Sequence, residues 1–464
     1  MNDVELHTDT ICAVATPHGT GGIAVVRVSG PDARRIVAQR WQGASVATMP
    51  SHTAHLGHVT DSHGQLLDQV VLTPFDASHS YTGEQVVEIA CHGSAWIQQQ
   101  LLVSLIDAGC RMALPGEFTR RAFANGRMDL AQAEAVADVI AAQSQAAHRL
   151  AINQLRGRFG DELRGLRGQL LRFASLIELE LDFSEEDVTF ADRAQVIALA
   201  KEIHAVISRL AGSYQAGNVI KNGLPVAIVG AVNAGKSTLL NALLHDDRAL
   251  VSDVQGTTRD VIEDTITLGG TLFRFIDTAG IRQATDVVEQ MGIERTWRAL
   301  GQAEIVLWVI DATAPPQQVQ DFGETLVPRC RGKRLIVVLN KIDLAGAHAA
   351  HRLRLPVNDD TPVVEICAKR PEDVERLQQL VLRVAALPQV GSDTVIVTNS
   401  RHYQALTRAD QAIVRALQGL RSGLSGDLVS QDISECLHYL GEITGEITSN
   451  DILGEIFAHF CVGK

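Results

Sequence analysis

Several features that would assign the chain to a familiar class are missing from its sequence. Its seven cysteines include no C-x-x-C pair, which argues against a disulfide framework or a zinc site and favours reduced thiols. No apolar run approaches the length of a membrane span, and residues 1–6 are acidic, unlike a signal or transit peptide. The formal net charge of −13 excludes a broad basic surface that would hold nucleic acid non-specifically. We therefore expect a cytoplasmic protein without membrane association.

The first part of the chain has the pattern of an α+β domain. A length of 464 residues is enough for two or three domains. Within residues 1–125, short β-type runs alternate with turns, and one helix is predicted near Trp96–Ala108. The β-type runs are Ile23–Val28, Val70–Thr73 and Val86–Ala90.

Helical periodicity dominates two further stretches, residues 126–220 and residues 386–464. Amphipathic helices cannot bury their apolar stripes separately. We therefore expect these stretches to be two halves of one helical bundle, with residues 221–385 inserted between them as a domain of a different kind. Leu163, Leu166, Leu170, Phe173 and Ile177 recur at helical spacing and are candidate core residues.

A phosphate-binding loop is predicted at Gly230–Ser237, which matches G-x-x-x-x-G-K-[ST]. An apolar run predicted to be a buried strand, Leu224–Val229, precedes it, and a helix is predicted to begin directly after it. A glycine-rich loop between strand and helix turns backbone N–H groups toward an anion. Lys236 would reach the β- and γ-phosphates, and the Ser237 hydroxyl would hold Mg²⁺. The expected nucleotide contacts in this loop are Asn233, Ala234, Gly235, Lys236, Ser237 and Thr238.

The base-binding residues are predicted further along, at Asn340-Lys341-Ile342-Asp343. This tetrapeptide follows the apolar run Leu335–Leu339, and open α/β sheets bind ligands at the carboxyl ends of their strands. The Asp343 carboxylate can accept hydrogen bonds from the N1–H and the amine of guanine, which would select GTP over ATP. Cys367-Ala368-Lys369 resembles the S-A-K element of GTPases, with Cys in place of Ser. The expected base contacts are Asn340, Lys341, Asp343, Cys367, Ala368 and Lys369.

Two switch elements complete the pattern. Asp277-Thr278-Ala279-Gly280 resembles the D-x-x-G switch, in which Asp277 would support Mg²⁺ through its water shell and the Gly280 N–H would sense the γ-phosphate. The segment before Arg259 resembles the other switch, with Thr258 as a second Mg²⁺ ligand. Its expected GTP contacts are Ser252, Asp253, Val254, Gln255, Gly256, Thr257 and Thr258. Four elements in this order predict that residues 221–385 form an α/β P-loop GTPase domain.

The chain as a whole is similar to the MnmE (TrmE) family of tRNA-modification GTPases. The terminal Cys461-Val462-Gly463-Lys464 resembles the family's C-[ILV]-G-K signature. The other matching segments outside the GTPase are Gly21–Gly30, Ser80–Glu84, Pro115–Thr119, Asp129–Ala135 and Asp182–Glu186.

This resemblance implies a homodimer, formed through the N-terminal domain, that binds a tetrahydrofolate one-carbon donor (a 5-formyl or 5,10-methylene derivative). By motif position the folate contacts fall on Arg27, Glu88, Arg127 and Lys464, although the family often has Lys where Arg127 stands. From the residues alone, Glu88 and Arg127 are equally compatible with solvated surface charges. The resemblance also implies a flavoprotein partner, MnmG, in a heterotetramer or larger complex. Together the two proteins would add an aminomethyl or carboxymethylaminomethyl group to carbon 5 of the wobble uridine of tRNA.

The resemblance further implies how GTP is hydrolysed. No Gln follows Gly280, and Glu289 matches the family's water-orienting residue, which acts through a bridging water. In place of an arginine finger, the family uses K⁺ near the β- and γ-phosphates, and dimerisation of the GTPase domains completes its site. The implied K⁺ ligands are Asn233 through its side chain, together with Ser252, Val254 and Thr257.

Alternative interpretations stay open for the role of Cys461 and for the function of the whole chain. Cys461 is either a small buried hydrophobic residue or, with Lys464 nearby, a thiol of lowered pKa, and the resemblance implies the functional role. The chain could instead be a GTP-dependent ribosome- or RNA-assembly switch, or a helical scaffold whose oligomeric state depends on nucleotide. Assembly switches usually append a basic module, whereas Asp427–Glu455 contains seven acids and no Lys or Arg. Neither alternative needs a terminal thiol.

Overall fold

The computed structural model describes residues 9–17, 19–182, 193–245, 264–276, 297–345, 353, 355–385, 395–447, 450–458, 460 and 463. These residues form two compact units. One unit comprises the described residues within Met1–Ile140, Ala151–Arg209 and Gln404–Lys464, and the other those within Ala141–Leu150 and Leu210–Tyr403. The four domains predicted from the sequence, with the three boundaries between them, stay a prediction.

The N-terminal part of the first unit is built on a seven-stranded sheet. Its strands are β1 (Ile11–Val14), β2 (Gly21–Ser29), β3 (Trp41–Gln42), β4 (His55–Thr60), β5 (Leu66–Phe75), β6 (Val86–Gly93) and β7 (Arg111–Met112). They lie in the order β3-β4-β5-β6-β2-β1-β7, and the β1–β7 pair is parallel while the other pairs are antiparallel. Side chains alternate along β5, where Val70 and Leu72 are buried and their neighbours are less so.

Three helices accompany this sheet: α1 (Ala33–Ala38), α2 (Ala95–Asp107) and α3 (Glu117–Ala124). Helix α2 confirms the prediction near Trp96–Ala108. The expectation of a single helix in residues 1–125 was wrong. Helix α1 is too short to show a periodic pattern. In α3, buried Glu117 and Arg121 interrupt the apolar stripe by which such a helix is recognised.

Helices α4 (Leu130–Ala141), α5 (Gln145–Leu155), α6 (Arg158–Asp182) and α7 (Arg193–Gly212) follow. The residues of α6 singled out by their spacing, from Leu163 to Ile177, are all buried, as predicted. Between α4 and α5 the chain breaks at Ser144, whose hydroxyl accepts a hydrogen bond from the Ala147 N–H at 3.1 Å. Such a cap satisfies a free N–H of the first turn and starts a new helix.

The second unit contains a six-stranded sheet with helices on both faces. Its elements are α8 (Tyr214–Asn222), β8 (Leu224–Val229), α9 (Lys236–His245), β9 (Asp264–Leu268), β10 (Thr271–Phe275), β11 (Ile305–Asp311), α10 (Pro316–Leu326), β12 (Arg334–Asn340), α11 (Ile342–Ala345), β13 (Val363–Glu365) and α12 (Pro371–Ala385). The strand order is β13-β12-β11-β8-β10-β9, and only the β9–β10 pair is antiparallel. Strand β8 is buried at every position, as a central parallel strand covered on both faces must be.

The two ends of residues 210–403, the longer of the two segments in this unit, lie side by side. The Ser213 hydroxyl accepts a hydrogen bond from the Val397 N–H at 3.0 Å. A Cβ atom on Gly217 would lie 2.1 Å from the Val397 carbonyl oxygen, so only glycine permits this approach. The rings of Tyr214 and Tyr403 stack with their centroids 4.5 Å apart.

The chain ends in three helices, α13 (Ser400–Ser422), α14 (Gly426–Thr444) and α15 (Asn450–Ala458). Helix α14 packs along α6, so the two helical stretches recognised in the sequence contribute to one bundle. Helix α15 contacts α3, where Gly116 leaves room for the Phe457 carbonyl. None of the helices in the described part of the chain combines the length and apolar character that a membrane crossing requires.

Candidate functional site

The loop after β8 has the backbone of a phosphate site. A Cβ atom on Gly230 would lie 2.1 Å from the Val309 carbonyl oxygen. Because β11 approaches the loop this closely, only glycine fits at position 230. Asn233 and Gly235 have φ angles of 62° and 93°, and these left-handed residues turn the chain into α9 at Lys236. The first N–H groups of a helix have no partner within it, and its positive dipole end favours an anion.

Lys236 lies over this loop. Its Nζ donates hydrogen bonds to the carbonyl oxygens of Gly230 and Ala231, at 2.9 and 2.7 Å. Burial lowers the pKa of Lys236, because a buried ammonium loses solvation. A phosphate would give this charge a stronger partner than two carbonyls. Ser237 and Thr238 are exposed in the first turn of α9, where their hydroxyls can reach a metal or a phosphate.

Asn340 joins three of the predicted GTP-binding loops. This residue ends β12, and only 2% of it is exposed. Its Nδ2 donates to the Ala234 carbonyl at 2.9 Å, and its Oδ1 accepts from the Ala368 N–H at 3.0 Å. A Cβ atom on Gly235 would lie 2.2 Å from Asn340 Nδ2, which explains the glycine at that position.

Lys341 and Asp311 form a second connection to the phosphate loop. Lys341 Nζ donates to the Asn233 carbonyl oxygen and to Asp311 Oδ2, each at 2.7 Å. Asp311 ends β11 and is the register partner of Asn340. Sequence reasoning missed Asp311, although a polar residue at the carboxyl end of a buried strand is the signal that identified Asn340.

The third loop is held by a carboxylate that sequence reasoning also missed. Asp373, in the first turn of α12, accepts a hydrogen bond from the Cys367 N–H at 2.8 Å. Cys367 and Ala368 are buried, whereas Asp343 and Lys369 are exposed beside them. The structure therefore brings together the phosphate loop, the N-K-x-D loop and the C-A-K loop at the carboxyl edge of the sheet.

The other predicted nucleotide-site residues lie outside the described residues. They are Ser252, Asp253, Val254, Gln255, Gly256, Thr257, Thr258, Asp277, Thr278, Ala279, Gly280 and Glu289. Cys461 and Lys464 also lie outside the described residues. Within the described residues, no group of three or more His, Cys, Asp or Glu side chains could hold a metal ion.

Of the predicted folate contacts, the structure pairs Arg27 with Glu88. These residues are register partners on β2 and β6, and the Arg27 Nε and Nη2 atoms lie 2.9 and 2.8 Å from Glu88 Oε1. The guanidinium also lies 5.3 Å from the ring centroid of Tyr81 and 5.6 Å from that of Phe118. Arg127 is exposed and donates instead to the Ser78 carbonyl at 3.1 Å.

A charge network centred on the buried Arg121 was not predicted. Arg121, with 6% of its side chain exposed, contacts Asp9 at 2.7 Å, Glu117 at 2.9 Å and Glu84 at 3.1 Å. Burial raises the pKa of Glu117, but hydrogen bonds from Arg111, the Leu114 backbone and Arg121 outweigh it and leave the pKa lowered. The network joins the Ser80–Glu84 and Pro115–Thr119 segments.

The end of the chain returns to this sheet. Gly463 is buried with a φ angle of 99°, and a Cβ atom there would lie 2.1 Å from the Val14 carbonyl oxygen. Val14 pairs with Val26, the neighbour of Arg27 on β2. Gly463 therefore lies against β1, close to the point where β1 pairs with the part of β2 that carries Arg27.

A phosphate loop held by an N-K-x-D loop, at the carboxyl edge of a sheet of this strand order, defines the class as a P-loop GTPase. Two family models match this chain: "GTP-binding protein TrmE N-terminus" at residues 10–127 and "MnmE helical domain" at residues 130–461.

Named relatives agree with these matches. The "tRNA modification GTPase MnmE" of Bacteroides thetaiotaomicron is 52% identical over 99% of this chain and 100% of its own length. The protein of the same name from Parabacteroides distasonis is 51% identical over 98% and 100%. Among solved structures, Era of Aquifex aeolicus is 26% identical over 40% of this chain and 65% of its own, with a TM-score of 0.26. The chain belongs to the MnmE family of tRNA modification GTPases, which confirms the resemblance read from the sequence.

Proposed function

We propose that this protein is a K⁺-stimulated GTPase that acts in the cytoplasm as a homodimer with an MnmG-type flavoprotein. Together they add an aminomethyl or carboxymethylaminomethyl group to carbon 5 of the wobble uridine of tRNA, with a tetrahydrofolate derivative as one-carbon donor. As a member of its family, the chain is a GTP hydrolase that takes part in tRNA modification.

The observation that carries the proposal is the position of Gly463. Gly463 lies against Val14 on β1. The neighbouring residue on β1, Ala13, is the register partner of Arg27 on β2. Gly463 lies close to the strand that carries the half-buried Arg27 of the Arg27–Glu88 pair, and we propose that Cys461 and Lys464 act at the same site. A guanidinium or ammonium suits the glutamyl carboxylate of a folate, and a carboxylate suits the donors of its pterin. Because these donor types fit a folate, we assign the ligand to Arg27, Glu88, Arg127 and Lys464.

The nucleotide-binding loops contain residues that would bind the two metal ions, Mg²⁺ and K⁺. Ser237 presents its hydroxyl at the start of α9, where it would hold Mg²⁺ together with Thr258, and Asp277 would act through water. Asn233 is exposed in a left-handed conformation, where its side-chain oxygen can face a monovalent cation. Ser252, Val254 and Thr257 would complete the K⁺ shell. When bound, K⁺ supplies positive charge beside the β- and γ-phosphates. Glu289 would orient the attacking water.

GTP hydrolysis should be at least about tenfold faster in KCl than in NaCl at equal ionic strength. K⁺ is expected to fit the oxygens around Asn233 better than the smaller Na⁺. Asn233→Ala should remove the difference between the two salts. Because alanine tolerates the φ angle of 62° less well than asparagine, GDP affinity should fall, but by no more than about tenfold. Asn358→Ala, at an exposed asparagine of the same unit, is the matched control and should keep the wild-type salt response. Equal wild-type rates in both salts would sink the K⁺ mechanism.

Cys461→Ser should hydrolyse GTP at close to the wild-type rate but fail to restore wobble-uridine modification in cells lacking the protein. Serine is nearly isosteric with cysteine, so folding should be kept, while its hydroxyl cannot replace a thiolate at neutral pH. The measurement is mass spectrometry of tRNA nucleosides from complemented cells. Full restoration would show that Cys461 is only a packed side chain.

A further inference from the structure

Lys341 contacts the phosphate loop through an atom whose position depends on an unusual backbone angle. Its Nζ donates to the carbonyl oxygen of Asn233 at 2.7 Å. Asn233 has a φ angle of 62°, and non-glycine residues adopt this region at an energetic cost, although asparagine tolerates it better than most. A contact from another residue must therefore hold the Asn233 carbonyl group and so fix the direction of the exposed Asn233 side chain.

The Lys341 side chain is itself held by Asp311. A lysine has four rotatable bonds, and fixing them costs conformational entropy. Asp311 Oδ2 lies 2.7 Å from Lys341 Nζ, and the two side chains are 22% and 31% exposed, so the pair is partly shielded from water. The ammonium is thus shared between a carboxylate on β11 and a carbonyl of the phosphate loop.

Asp311 is well placed to act as a fixed point. Its Oδ1 accepts hydrogen bonds from the Thr313 N–H at 2.9 Å and the Thr313 hydroxyl at 2.7 Å. Its backbone oxygen accepts from Ala314 N–H at 2.9 Å, and the Asn340 carbonyl accepts from Ala312 N–H at 2.9 Å. Burial raises the pKa of Asp311, but hydrogen bonds from Lys341 and Thr313 outweigh it and leave the pKa lowered. The carboxylate is therefore charged at neutral pH and has one oxygen free for Lys341.

We infer that Asp311 is a positioning residue of the GTPase: it holds Lys341, which holds the Asn233 carbonyl, and so presents the Asn233 side chain to the monovalent cation. The last step of this chain rests on the proposed K⁺ site. The first two steps rest on the contacts among Asp311, Lys341 and Asn233. In this arrangement β11, which carries none of the predicted nucleotide-binding motifs, controls through Asp311 how the phosphate loop responds to K⁺.

A double-mutant cycle on nucleotide affinity tests the first two steps without reference to K⁺. Asp311→Asn keeps the size of the side chain and an oxygen for Thr313 but removes the charge. Asp311→Asn and Lys341→Ala should each weaken binding of a fluorescent GDP by about tenfold, the scale of one charge-assisted hydrogen bond. The double variant should bind no more weakly than Lys341→Ala alone, because Asp311 acts through Lys341. Additive losses would overturn the inference.

The cation step is tested by titrating K⁺ in the hydrolysis assay of the full-length protein. Asp311→Asn should raise the half-saturating K⁺ concentration by about tenfold, and kcat at saturating K⁺ should recover to within about twofold. Asp321→Asn, which removes the same charge from an exposed position on α10, should leave the titration unchanged. An unchanged half-saturating concentration in Asp311→Asn would overturn the cation step.

The two assays also separate this inference from the proposed function. If the wild-type protein hydrolyses GTP equally well in K⁺ and Na⁺, the proposed K⁺ site fails and the cation step fails with it. The double-mutant cycle still decides whether Asp311 positions Lys341. A fall in kcat that saturating K⁺ does not reverse, together with a lowered Tm, would show that Asp311 is merely structural.

Discussion

Gly235→Ala should weaken GDP binding by about 100-fold or more, which corresponds to about 2.7 kcal/mol. Gly235 has a φ angle of 93°, and an L side chain in a left-handed region costs about 1–2 kcal/mol. The added Cβ would lie 2.2 Å from Asn340 Nδ2, so the amide must move. That movement breaks its bonds to Ala234 and Ala368, each worth about 1 kcal/mol. Isothermal titration with GDP measures the loss.

Gly301→Ala is the matched control for this substitution. Gly301 lies in the same unit, has no positive φ angle and would place its Cβ in open space. We expect its GDP affinity to equal that of the wild-type protein. If Gly235→Ala binds GDP within threefold of wild type, Asn340 does not connect the phosphate and base loops in the way described.

Gly463→Ala should abolish wobble-uridine modification in cells lacking the wild-type protein while GTP hydrolysis stays within about twofold. The substitution puts a side chain at a φ angle of 99° and places its Cβ 2.1 Å from the Val14 carbonyl oxygen. Neither strain can be relieved without displacing the backbone at Gly463. The nucleotide loops belong to the other unit, so hydrolysis has no direct dependence on this contact. Nucleoside mass spectrometry and a phosphate-release assay measure the two effects.

The comparison variant is Gly454→Ala, in α15 of the same C-terminal region. A Cβ there meets no atom within 4 Å, so both activities should equal those of wild type. Normal modification by Gly463→Ala would show that the C-terminal motif does not need its position against β1, and would remove the observation on which the folate and thiol proposal rests.

Much of the architecture could be predicted because its signals are local in sequence. The phosphate loop is a continuous segment between a buried strand and a helix, and the structure places both. The N-K-x-D and C-A-K elements each follow an apolar run, so their location at the carboxyl edge of the sheet follows from the strand order. Helix α6 was predictable because its buried residues repeat at the helical period.

What could not be predicted depends on contacts between distant residues. Asp311 is polar and ends a strand, but its importance appears only when the β11–β12 register places it beside Asn340. Arg121 and Glu117 are residue types that usually lie at the solvated surface. Their burial is explained by the ion pairs of Arg121 with Asp9, Glu84 and Glu117 and by that of Glu117 with Arg111. The Arg27–Glu88 pair likewise depends on the β2–β6 register. The two residues are far apart in the sequence, and no local pattern indicates that they contact each other.

The two ends of residues 210–403 lie side by side, and this bears on how the domains of the chain can be combined. Ser213 and Gly217 lie against Val397, with Tyr214 stacked on Tyr403. A segment whose two ends are adjacent can be inserted into a host domain, or removed from it, without pulling the host apart. This geometry is what the insertion of a nucleotide-binding module into a helical domain requires. It also identifies residues 210–403 as a fragment suited to circular permutation, with new ends opened at a surface turn and the old ends joined by a short linker.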